Sequence, residues 1–313
     1  MLSELAIVPD VFDPACYSSA EVCNMHLNYL KEPILNEVLI RDLREGGWGA
    51  FVTKDLGRWH PKAKELLKQL LKAARLRVFR PMLPQPPETY VDWCREAVMS
   101  HEAESVAGVI AADAIAAEYG ADSIVCSIDK LTSRPWWQSR GPTARVQRNT
   151  AAYLARLRLV LENANSLMFI DPWVDPDKVK YAEFLELLLA GSRATSPPLI
   201  EVHREHYPDR RDFGGRPIYP LPDEIEKRFR DSWGPRLAGA GLSAEIFVWD
   251  HVHDRYLITN LIGVLVPYGF DISSDPSELT TWARLTRKDR DDVQREYDPA
   301  VKRHQLICRF RIP

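Results

Sequence analysis

Two stretches of this chain follow one plan: an amphipathic helix, a short buried strand, a proline turn and a second helix. That alternation commits a chain to an α/β fold, because a strand buried on both faces needs helices to cover it. In the first stretch Pro61 opens a helix over residues 62–74, with Leu66, Leu67, Leu70 and Leu71 on one face. Residues 76–79 then read as a strand stopped by Pro81. In the second, residues 150–164 are amphipathic, residues 166–170 are a strand, and Asp171-Pro172-Trp173-Val174-Asp175-Pro176 is the turn. At a constant offset, Leu66, Leu70, Ala73, Leu76, Pro81 and Tyr90 fall on Leu157, Leu161, Ala164, Leu167, Pro172 and Tyr181. The expected fold is α/β, a mixed β-sheet flanked by helices, in two regions, residues 1–149 and 150–313. The echo leaves two readings of the first region open: a degenerate lobe related to the second, or generic α/β patterning.

The remaining elements are less sharply marked. Residues 5–9 read as a strand, and residues 36–42 as a strand or short helix. Gly46-Gly47-Trp48-Gly49 reads as a turn leading to a brief strand at residues 50–52. An alanine-rich helix is expected over 104–119 and a strand over 123–128. Residues 133–148 carry four arginines and no acid, and read as a linker or long loop. Their tryptophans suit packing on a neighbour. Interleaved with Arg134 and Arg140 they also suit a polyanion such as single-stranded nucleic acid. Strands follow over 198–203, 244–249 and 305–310, with a helix over 221–237.

A formal net charge of −3 gives no bulk attraction to nucleic acid or membrane, so any anion site must be a local patch. Five scattered cysteines without a CxxC pair fit a reducing compartment. No basic-then-apolar leader and no run of about 18 apolar residues occurs, so the expectation is a cytoplasmic protein without a membrane span. His203, His206, His251 and His253 match no zinc framework. Neither a metal nor a cofactor is expected.

The segment with most chemical content is Asp250-His251-Val252-His253-Asp254-Arg255-Tyr256-Leu257-Ile258-Thr259-Asn260, followed by Gly263 and Gly269-Phe270-Asp271. Read as the start of a strand, it places His253 and Arg255 on one face. An imidazole can attack phosphorus or move a proton, and a guanidinium grips two phosphate oxygens.

The spacing His253-x-Arg255-x4-Asn260 resembles the H-x-K-x4-D motif of the phospholipase D superfamily. Ile170-Asp171-Pro172-Trp173-Val174, with His253-Asp254-Arg255, Gly263 and Gly269-Phe270-Asp271, is closest to the C-terminal phospholipase-D-like domain of MIT-domain proteins. The resemblance covers roughly residues 150–313. It implies a phosphodiester-handling protein, with His253 as nucleophile, Arg255 as phosphate ligand and Asn260 in the supporting position. Asp171, Trp173, Arg134 and Arg140 join the list as phosphate or substrate contacts.

Asparagine replaces the family's aspartate and a second histidine motif is missing, so catalysis would need a homodimer or a non-equivalent histidine such as His203 or His206. Three readings therefore stand: a nuclease-like effector of a bacterial defence or DNA-processing system; a non-catalytic module that binds a phosphate on nucleic acid or a lipid headgroup while residues 1–149 dock a protein partner; or a structural subunit whose motif residues are buried and paired.

Overall fold

The computed structural model describes residues 1–120, 123–193 and 196–313. The chain divides into two compact units, Leu2–Gly141 and Pro142–Pro313, the latter with Met1. The boundary falls earlier than the composition shift placed it, because residues 142–149 pair into the second unit.

In the unit Leu2–Gly141, strands β1 (Ser3–Ile7), β2 (Val38–Asp42), β3 (Leu76–Val78), β4 (Gly108–Ala111) and β5 (Val125–Ser127) form a parallel sheet of order β3-β2-β1-β4-β5. Every residue of β2 and β4 is buried, as expected of central strands covered on both faces. Helices start where the sequence caps them: Ser19 accepts from the Val22 N–H, and Thr89 and Asp92 form a capping box before Tyr90–Ala103. Helix Pro61–Lys72 buries Ala63, Leu66, Leu67 and Leu70, while Leu71 is exposed. Glu4 binds the wholly buried Arg41 through two hydrogen bonds of 2.9 and 3.0 Å, and Arg77 joins at 2.9 Å.

Three expectations here are corrected. The alanine-rich stretch 104–119 is not one helix, because Val109 and Ile110 are drawn into the sheet as β4 and only Asp113–Ala116 is helical. Residues 50–52 are helical, after a left-handed turn at Arg44, Glu45 and Gly46. Residues 133–148 are not a linker: Pro135–Gln138 is helical, and Thr143–Gln147 is a strand of the other unit.

In the unit Pro142–Pro313 the strands are β6 (Thr143–Gln147), β7 (Ser166–Ile170), β8 (Leu199–Glu205), β11 (Ala244–Trp249), β12 (Tyr256–Thr259), β13 (Gly263–Leu265), β14 (Leu279–Arg284) and β15 (Leu306–Ile312). They form a mixed sheet of order β15-β11-β8-β7-β12-β13-β14-β6. A separate ribbon pairs β9 (Arg210–Arg211) with β10 (Pro217–Ile218). Helices Thr150–Asn163 and Pro222–Gly239 are among those that pack on the large sheet.

The mixed, helix-flanked sheet matches the expected class. The two units nevertheless have different strand orders: the echoing strands are an edge strand in one (β3) and a central strand in the other (β7). The echo thus reflects what any buried helix–strand pair requires, and the reading as a degenerate copy is set aside.

Strands β7, β8 and β11 run parallel, and β12 runs antiparallel to β7. The segments after β7, β8 and β11, the segment before β12 and the loop after β13 therefore emerge along one edge of the sheet. Open α/β sheets place ligands beyond the carboxyl ends of their strands.

Candidate functional site

At that edge the chain leaves β7 through Asp171, which is fully buried. Its carboxylate accepts hydrogen bonds from the N–H of Trp173 at 3.1 Å and of Phe270 at 3.0 Å, and from the Tyr181 hydroxyl at 3.0 Å. Burial pushes its pKa up to about 6, against these hydrogen bonds and the nearby Arg255 cation. Gly269, at φ +70°, passes directly over the carboxylate, where a Cβ would overlap it. The glycine anticipated from sequence is required here by close approach as well as by its backbone angle.

Arg255 lies above this anchor. Its Nη1 donates to the Pro267 carbonyl at 2.8 Å. Its Nε is 3.7 Å from Asp171 Oδ1, too long for a hydrogen bond, and is buried without a partner. An orphaned buried guanidinium N–H is costly in a folded protein unless a ligand or water meets it.

Arg255 lines a cavity of about 500 Å³ together with Trp173, Lys178, Lys180, Tyr181, Tyr268 and Asp271. The Lys178 ammonium sits 3.7 Å from the Tyr207 ring centre and 5.0 Å from that of Trp173. Burial holds its pKa below the usual lysine range. Asp271 is bound by Arg148 at 2.6 Å, and the Arg148 guanidinium lies 4.7 Å over Tyr268. Arg255, Lys178 and Lys180 thus line the cavity beside Trp173 and Tyr268, and the acid on its wall, Asp271, is paired with Arg148 and lies 4.0 Å from the Lys180 ammonium.

The loop carrying Trp173 and Lys178 is fixed from below by Asp175, buried and bonded to Arg204 at 3.1 Å, Arg228 at 2.7 Å and the Tyr207 hydroxyl at 2.8 Å. Its pKa is held down, against burial, first by Arg204. Beyond the turn-forming role its sequence suggested, it anchors the cation-bearing loop.

Several sequence-derived assignments change. His253 and Arg255 are not on a strand, since β12 begins at Tyr256, and the shared-face argument does not apply. His253 is exposed, packs edge-on against His251 at 4.5 Å and does not line the cavity. Asn260 lies past the far end of β12, about 15 Å along the strand from Arg255. There its Oδ1 accepts from the Asn165 N–H at 2.8 Å. The family-like spacing therefore spans the sheet instead of converging.

Asp171 is sealed beneath the site, 3.7 Å from Arg255 Nε, and does not line the cavity; Trp173 does. His203 is buried between aromatic rings and accepts from Trp249 Nε1 at 3.0 Å, and burial lowers its pKa. His206 bonds the Pro220 carbonyl at 2.9 Å. Lys178, Lys180 and Tyr268 were not found from sequence, because only tertiary contact brings them to Arg255.

Arg134 and Arg140 belong to the other unit. Arg140 is bound to Glu37 at 2.5 Å and stacked 3.4 Å over Trp137. Arg134 donates to the Val125 carbonyl at 3.2 Å and lines a cavity of about 450 Å³ with Asp113, Ser127 and Lys130. That cavity opens beside the carboxyl ends of β4 and β5. Ser127 donates to Asp113 Oδ1. Asp129, exposed two residues further on, is held below the usual carboxylate range, against burial, first by its hydrogen bond with Ser127.

Between β1 and β4 the strand order reverses, the usual ligand crevice of doubly wound sheets. Asp10 is buried there, with Oδ2 accepting from the Ala112 N–H at 2.9 Å and Oδ1 without a partner. Burial pushes its pKa to about 7, helped by Asp13. Asp10 and Asp113 each follow a buried apolar run, a signal that was legible in sequence. For Asp113 the alanines around β4 mask the strand that carries it.

No family model matches the chain, and no curated protein does. Among solved structures, one that is similar is that of TrmBL2, an archaeal chromatin protein described as showing a novel mode of DNA binding. The two share 9% identity over 53% of this chain and 55% of that one, about half the length of each, with a TM-score of 0.29. So low a score bears on neither fold nor function. Among the described residues no helix is long and apolar enough to cross a membrane.

Proposed function

We propose that the protein handles a phosphodiester and that the Arg255 cavity holds its phosphate. The observation that carries this reading is the buried, unpartnered Arg255 Nε beside Lys178 and Lys180. A phosphate oxygen would satisfy the orphaned donor, and the two ammonium groups would offset the remaining charge. Of the phospholipase-D-like motif residues only Arg255 lines the cavity; His253 stands outside it, and among the described residues no histidine lines it. Binding is therefore favoured over phosphohistidine chemistry at this site.

Fluorescence anisotropy with a short labelled oligonucleotide tests this. Arg255→Ala is expected to weaken binding about ten- to hundredfold and to reduce the salt dependence by about one counterion. His253→Ala should bind as the native protein does. Native affinity in Arg255→Ala would refute the assignment.

A second reading concerns hydrolysis in the unit Leu2–Gly141, favoured by Asp113 lining one cavity with Lys130 and Arg134. Among the described residues no three His, Cys, Asp or Glu side chains are placed to hold a metal ion by themselves. Mg²⁺, however, is commonly held by one or two carboxylates with substrate phosphate completing its shell. Asp113 suits that role, with Lys130 and Arg134 beside it for the phosphate; a bound ion would supply an activated water. Mg²⁺-dependent cleavage of a labelled oligonucleotide, lost more than about hundredfold in Asp113→Asn, is the expected result. Absence of cleavage by native protein with Mg²⁺, or full activity in the variant, would exclude it.

A further inference from the structure

The ribbon β9–β10 rises from the same sheet edge as the Arg255 cavity, directly after β8. Its tip is tightly built: Asp212 Oδ1 accepts from the N–H groups of Gly214 at 2.9 Å and Arg216 at 2.8 Å, and Gly215 takes φ +79°. Its base is tied down, with Asp209 bonded to Arg228 at 2.6 Å, the same arginine that holds Asp175 beneath the cavity loop. On this fixed tip Phe213 is wholly exposed, at 114%. Phe213 thus presents a solvent-facing ring on a hydrogen-bonded turn. Asp209 and Asp212 are neutralised by Arg228 and Arg216, leaving Arg210 and Arg211, both exposed, without a carboxylate partner among the described residues.

Resting on the phosphodiester reading above, we propose that this ribbon is a stacking finger for single-stranded nucleic acid. Phe213 stacks on an unpaired base, Arg210 and Arg211 meet the backbone, and a neighbouring phosphate enters the Arg255 cavity. The charge pattern commits the ligand to a polyanion. The bare ring selects one that carries bases, since a π-face stacks on any base without reading sequence.

The test compares native protein, Phe213→Ala, Phe213→Trp and Arg255→Ala on three probes: a labelled oligothymidylate, an abasic strand of equal length, and vesicles of phosphatidylcholine with phosphatidylserine. Phe213→Ala should lose about ten- to hundredfold affinity for oligothymidylate, Phe213→Trp should restore it, and all three should bind the abasic strand equally. Equal loss on both strands, no loss on either, native protein that binds neither strand, or Phe213-dependent binding to vesicles alone would overturn the finger. Arg255→Ala separates the two ideas. If it keeps native affinity while Phe213→Ala does not, the phosphate cavity fails and the finger stands; the reverse pattern removes the finger alone.

Discussion

Gly269→Ala is expected to abolish binding at the Arg255 cavity and to cost about 2–4 kcal/mol of stability. Two costs add. Alanine is strained at φ +70°, and its Cβ would overlap the Asp171 carboxylate and stand 2.9 Å from Arg255 Cδ. Asp171 has nowhere to move, since its oxygens hold Phe270, Trp173 and Tyr181. The loop must instead lift, taking Tyr268 and Asp271 with it and releasing Arg255. Gly239→Ala, where a Cβ meets open space, is the control. Urea unfolding and phosphate titration of both variants check this. A Gly269→Ala protein that binds and unfolds like the control would show that the close approach is not real.

The second large effect is a pH dependence centred on Asp10. Its pKa is about 7 in the folded unit against an ordinary 3.8, so the folded state binds the proton more tightly than the unfolded chain does. The stability this confers is fully present below about 3.8 and is lost as pH rises through about 7. Asp10→Asn does not titrate, and its carbonyl can still accept from Ala112. Its stability relative to native should therefore increase by about 2–3 kcal/mol between pH 5 and pH 8. Urea unfolding followed by tryptophan fluorescence at the two values measures the change. A difference independent of pH would show that Asp10 titrates normally and that its unpartnered oxygen is solvated.

Parts of this molecule were legible because local signal and tertiary demand agree. Ser166–Ile170 and Ala244–Trp249 are buried strands written as continuous apolar runs, and both lie where expected. Gly108–Ala111 was hidden because alanine on either side favours helix while the sheet needs Val109 and Ile110; packing overrode propensity. Thr143–Gln147 was hidden because an edge strand with mostly polar faces resembles a loop.

At the candidate site, an aspartate after a buried strand and a downstream glycine marked Asp171, Trp173 and Gly269; Trp173 lines the cavity, and Gly269 closes over the buried Asp171. The motif spacing misled because it presumes a strand running through His253. The chain is irregular until Tyr256, and the four residues of β12 then carry Asn260 to the opposite edge. The cations that complete the cavity follow β7 in a loop whose path no local pattern encodes.

The most direct measurement follows the Arg255 Nε–H resonance of isotope-labelled protein as a thymidine dinucleotide is added. That proton, now without an acceptor, should shift and saturate with the ligand, while those of Arg41 and Arg204, locked in buried ion pairs, stay in place. An Arg255 signal that stays fixed in folded protein at millimolar dinucleotide would contradict the phosphate site.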